Sequence, residues 1–149
     1  MYRSILVALD GSEHSTRAAK HAALLAKLSG ARLILFHAAP TTHMPGYVEG
    51  AGTALVEQVN EIARNNRDAE AKRIVSEAHA AIGFPDVAVE ELFEVNDTPY
   101  LAILRAARSS GCDLIVMAPH GHRGIAGILV GSETQKVLTH SQLPVLVVR

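Results

Sequence analysis

Two turns in this chain carry residues able to hold an anionic ligand. The first, Asp10-Gly11-Ser12, sets a carboxylate, a glycine and a hydroxyl directly after the apolar run Ser4–Leu9. The second runs from Ala118-Pro119-His120-Gly121 through Gly124 and Gly127 to Gly131-Ser132. Glycines let backbone N–H groups approach a phosphate closely and form an anion-binding nest. Gly131-Ser132 opens a helix, whose unpaired N–H groups and dipole favour an anion. The loop is not a Walker A loop, since Gly-Lys-Ser/Thr is missing, and it lacks the dinucleotide fingerprint Gly-x-Gly-x-x-Gly. On residue chemistry alone, phosphate binding and a plain glycine-rich surface loop stand as equal readings. Asp10 reads as a ligand contact or as a turn residue capping the first helix. Ser132 reads as a phosphate contact or an N-cap, and the two roles are compatible.

Other reactive residue types point to packing or solvent. His120 and His122 have no third ligand nearby, so they make no structural zinc site and at most contact a phosphate. His37 ends an apolar run and reads as a hydrogen-bonded histidine near the core. His14, His21, His43, His79 and His140 are scattered and expected to face solvent. Cys112 precedes an apolar run and has no catalytic partner in view, which makes it a packing residue. Glu90, Glu91 and Glu94 read as a solvated strand face. No nucleophile elbow and no paired-acid site is visible.

The elements that must position these turns follow from hydrophobic periodicity. Ser4–Leu9, Arg32–Ala38, Asp113–Ala118 and Pro144–Arg149 are short apolar runs of the kind buried on both faces of a parallel sheet. Val87–Val95 alternates apolar and acidic residues, as in a strand near a sheet edge. Helices are expected after Ser12, from about Thr53 to Ala81 with the stripe Leu55, Val59 and Ile62, after Thr98-Pro99, and from Ser132 to about His140. Asp68 and Lys72 have the spacing of an i,i+4 ion pair. Strand–helix alternation throughout predicts an α/β fold, a doubly wound five-stranded parallel sheet with order 3-2-1-4-5 and helices on both faces. Ligands bind such sheets beyond the carboxyl ends of strands where the order reverses, here between the first and fourth strands. Those ends are the two turns above.

The chain has 149 residues, 48% of them apolar and 19% charged, so one globular domain over 1–149 is expected. A net charge of −1 and six Phe or Tyr with no Trp give no nucleic-acid footprint. One cysteine fits a reducing, cytoplasmic setting, and no apolar run approaches a membrane span. The apolar run before Asp10 is too short for a signal peptide.

Ala118-Pro119-His120-Gly121, nine residues, then Gly131-Ser132 resembles the nucleotide-loop pattern Gly-x2-Gly-x9-Gly-Ser/Thr of the universal stress protein family, with Ala118 at the first glycine. Ile5–Ser12 resembles that family's first strand and turn, Asp113–Met117 its fourth strand, and Ser132–Leu138 with His140-Ser141 and Pro144–Val148 its ending. The resemblance spans the whole chain and implies an adenine nucleotide alpha hydrolase-like fold. It implies ATP, with Mg²⁺, in the crevice: Asp10 on the ribose, Ala38 by adenine and ribose, Met117 beside the base, and Ala118, Gly121, Gly131 and Ser132 along the loop that holds the phosphates. It further implies a homodimer through the last strand and a stress-response role through an unknown protein partner. The loop has no lysine and no evident base, which agrees with slow or absent hydrolysis. The alternatives are a nucleotide-free dimeric interaction module and an adenylate-acting hydrolase using His120 or His122.

Overall fold

Ser4–Leu9 forms β1, and every residue in it is buried. The computed structural model describes residues 1–42, 52–119 and 130–149. After β1, Gly11 takes φ 82°, a left-handed turn that favours glycine. Ser12 then caps helix α1 (Glu13–Ser29), accepting from the N–H of Ser15 at 3.1 Å. The inner face of α1 is almost all alanine: Ala18, Ala19, Ala22, Ala23 and Ala26 are buried, which lets the helix sit close on the sheet. Gly30 ends it in a left-handed C-cap. Strand β2 (Arg32–Ala39) follows, one residue longer than the apolar run suggests.

Helix α2 (Thr53–Ile82) leads to β3 (Val89–Val95), α3 (Pro99–Ser109), β4 (Leu114–Met117), α4 (Ser132–His140) and β5 (Val145–Val147). The strands make one parallel sheet in the order β3-β2-β1-β4-β5, as the sequence predicts. One core lies under α1 and α2, built on Ile5, Val7, Leu33, Leu35 and Val116. The other lies under α3 and α4, built on Leu6, Ile34, Phe36, Ile115 and Val137. The winding therefore reverses between β1 and β4.

Three expectations about helices and edges are corrected. The stripe Leu55, Val59 and Ile62 is exposed, at 55%, 36% and 60%. The buried face of α2 is offset from it, through Val56, Asn60, Ala71, Ile74, Val75, Ala78 and Ile82. The second half of the helix packs on the sheet through Ile74, Val75, Ala78 and Ile82, and these residues set its rotation. Asp68 pairs with the neighbouring Arg67 at 2.7 Å rather than with Lys72. The β3 acids do not form one solvated face, because successive strand residues point to opposite faces. Glu91 takes hydrogen bonds from Ser76 and His79 of α2, while Glu94 meets Arg105 of α3 and Glu90 meets Arg32.

Candidate functional site

The crevice forms where β1 and β4 run side by side, with Leu6 opposite Ile115 and Val7 opposite Val116, and then send their chains to opposite faces. On the β1 side, Asp10 is half-buried. One of its carboxylate oxygens accepts from the Ser12 hydroxyl at 2.6 Å and from the Ser12 N–H at 3.0 Å. Asp10 thus orders the turn that opens α1, while Ser12 supplies the cap itself. His37, beside Leu9 in register, donates from Nδ1 to the Leu9 carbonyl at 2.8 Å. It is the hydrogen-bonded near-core histidine expected from its position.

On the β4 side, Met117 ends the strand and is buried among the α3/α4 core. Ala118 is 7% exposed and, like every described residue other than glycine, has a negative φ. That backbone makes no demand for glycine. Its carbonyl accepts from the Thr134 hydroxyl at 2.9 Å, and the Pro119 carbonyl accepts from the Gly131 N–H at 2.6 Å. The first turn of α4 is thereby pinned to the end of β4. Gly131, with φ −68° and ψ 157°, is the N-cap of α4 and offers no side-chain cap. Ser132 is the first helical residue and is exposed, so its reading as an N-cap is corrected. Ala38 lies within β2 rather than after it, half-buried on the same face of the sheet as Met117. Gly121, His120 and His122 lie outside the described residues.

Three contacts here are absent from the sequence reading. Thr98 makes no side-chain cap for α3, although Pro99 occupies the first turn as expected. Instead Glu133 of α4 reaches across and accepts from the Tyr100 N–H at 2.9 Å. Beyond β2, the Thr41 N–H donates to Asp97 at 2.7 Å, and Ala39 accepts from the Asn96 N–H at 2.8 Å. These partners are distant in sequence and share no motif. Of the expected bystanders, His43 lies outside the described residues. Burial pushes the Cys112 thiol up despite its contact with the Ser4 hydroxyl at 3.5 Å. His14, His21, His79 and His140 are exposed. Among the described residues, no three His, Cys, Asp or Glu gather as a metal site.

Comparisons with known proteins fall on one family. The family model described as Universal stress protein family matches residues 1–149. A universal stress protein of Thermus aquaticus is 37% identical over 149 residues, all of both chains. The protein MJ0577 of Methanocaldococcus jannaschii is 29% identical over 157 aligned positions, spanning 100% of this chain and 96% of its own. Its solved structure superposes with a TM-score of 0.80, covering 99% of this chain and 96% of that one. A universal stress protein solved in complex with cAMP is 28% identical with a TM-score of 0.62, covering 99% and 97%.

Proposed function

Since this chain belongs to the universal stress protein family, we propose that it is an ATP-binding regulatory protein that works in the cytoplasm through a protein partner, with little or no turnover. The observation that carries this reading is that the Asp10 turn follows β1 and the α4 start, without a side-chain cap, is pinned to the end of the neighbouring strand β4. A backbone donor set at a helix start suits phosphate, and a carboxylate at the adjoining turn suits ribose hydroxyls. The relative that binds cAMP supports an adenine nucleotide as the ligand class.

In this reading the N–H and hydroxyl of Ser132, with Gly121, hold phosphates, and Gly131, whose own N–H goes to the Pro119 carbonyl, lets them approach closely. Asp10 takes the ribose, and Ala38 and Met117 line the base side. Mg²⁺ would serve as a counter-ion of the phosphates, beside a loop whose sequence carries one permanent cation, Arg123. Among the described residues, no helix is long and apolar enough to cross a membrane.

Purified protein, denatured and chromatographed, is expected to release adenine nucleotide, and calorimetry with ATP and Mg²⁺ is expected to show one site per chain. A protein that yields no nucleotide and gives no heat with ATP is a nucleotide-free interaction module instead. Steady phosphate release with turnover would make it a hydrolase.

A homodimer through β5 belongs to the same proposal. Val145, Leu146 and Val147 form an uncharged edge strand with Leu146 exposed, an edge open to pairing. Val147→Lys is expected to shift the protein from dimer to monomer in sizing with light scattering. A wild-type monomer at micromolar concentration would exclude the pairing.

A further inference from the structure

The start of α4 is braced from a direction that the nucleotide loop does not explain. Glu133 sits in the first turn of its own helix, where a carboxylate would ordinarily serve that helix's N–H groups. It turns instead to the neighbouring helix and caps α3 through the Tyr100 N–H at 2.9 Å. Its second oxygen accepts from Lys136 Nζ at 2.7 Å. Lys136 in turn stands 5.5 Å from the centre of the Tyr100 ring, and the opposite edge of the network is closed by His140, T-shaped on that ring at 5.4 Å. Thr134, the next residue, is 4% exposed and bonds the Ala118 carbonyl. The first turn of α4 is thus fixed on one side to β4 and on the other to α3.

We propose that Glu133 is a positioning residue for the phosphates: by capping α3 it holds the Gly131–Ser132 backbone at the crevice, and its charge is drawn off by Lys136. The inference rests on the nucleotide reading above and adds a residue that touches no ligand. Two consequences separate positioning from simple support. A shift of the α4 start alters contacts to phosphates and leaves contacts to base and ribose alone, so ATP and adenosine respond differently. The bond to Tyr100 needs an acceptor and no charge, so an amide in place of the carboxylate serves.

Calorimetry with ATP–Mg²⁺ and with adenosine, on wild type, Glu133→Ala and Glu133→Gln, tests this. Glu133→Ala is expected to weaken ATP about tenfold while adenosine stays within twofold. Glu133→Gln is expected to bind ATP as well as wild type or more tightly, because it keeps the acceptor and removes a negative charge beside the phosphates. Amide hydrogen exchange without ligand is expected to quicken at Tyr100 in Glu133→Ala and to stay slow in Glu133→Gln. Wild-type affinity for ATP in Glu133→Ala, or an equal loss of ATP and adenosine, overturns the inference while leaving the nucleotide reading intact. Wild-type protein that binds neither ligand overturns the nucleotide reading and this inference with it.

Discussion

The two ends of the sheet are built on opposite plans. At the amino end, the N–H groups of Arg3 and Ser4 both donate to Asp113, at distances from 2.9 to 3.1 Å, and the Asp113 N–H returns a bond to the Ser4 carbonyl. Arg32 adds bonds to the Ser4 hydroxyl and the Ser110 carbonyl and meets Glu90 at 3.6 Å. Polar groups there are spent on one another. At the carboxyl end, Gly131 caps α4 with no side chain and Ser132 stands exposed. The strands are stapled at the amino end, whereas at the carboxyl end the Gly131 N–H goes to the Pro119 carbonyl and the α4 start has no side-chain cap. Stability and ligand affinity are therefore expected to respond to different residues.

The largest effect expected is at the open end. Gly131→Val should abolish ATP binding by calorimetry, since a branched side chain at the helix start blocks approach to the backbone. Its melting temperature should barely move, because φ −68° and ψ 157° suit a β-branched residue. Loss of folding in this variant would erase the contrast between the ends.

Asp113→Ala tests the stapled end. Losing three bonds from backbone N–H groups to a carboxylate that is about a third exposed is expected to cost roughly 1–2 kcal/mol in denaturant unfolding. Affinity for ATP should stay unchanged. Burial alone would raise the Asp113 carboxyl, but the N–H groups of Ser4 and Arg3 outweigh it and hold the carboxyl below the ordinary aspartate value. A lowered folded value means that this contribution is present in full above the unfolded value. It is lost as pH falls through the folded one. Wild type should thus lose more stability than Asp113→Ala between neutral and strongly acidic pH, and parallel acid titrations of the two would show Asp113 to be inert.

Smaller effects sharpen the contrast within the open end. Ser132→Ala should weaken ATP by about 1 kcal/mol, the worth of one hydrogen bond, with no measurable change in unfolding. Ala118→Gly should tighten ATP by less than tenfold, or about 1.4 kcal/mol, in titrations with Mg²⁺. Binding by the glycine variant alone would assign the wild-type loop to the nucleotide-free module.

The fold was legible because its signals are local. Buried runs such as Ser4–Leu9, the cap at Ser12 and the stop at Gly30 each report their own element, and strand–helix alternation then restricts the winding. The reversal point followed, and with it the two turns of the crevice. The rest depends on partners far apart in the chain. Glu133 serves an N–H 33 residues away, and Asp113 serves groups 109 and 110 residues away, which no periodicity announces. The rotation of α2 was hidden for a related reason. Leu55, Val59 and Ile62 look like a core stripe, yet the sheet lies under Ala71–Ile82 and sets which face turns inward.

The two rims of the sheet also differ, and the difference bears on how large an assembly can become. Along β3, Glu90, Glu91 and Glu94 are held by Arg32, by Ser76 and His79, and by Arg105, so a strand arriving there would meet fixed charged and polar side chains. Along β5, Val145, Leu146 and Val147 offer no charge at all. A strip with two sticky rims can grow without limit into a fibre, whereas a strip with one can only be doubled. Once two such rims meet about a two-fold axis, both outward margins carry charged side chains and growth stops.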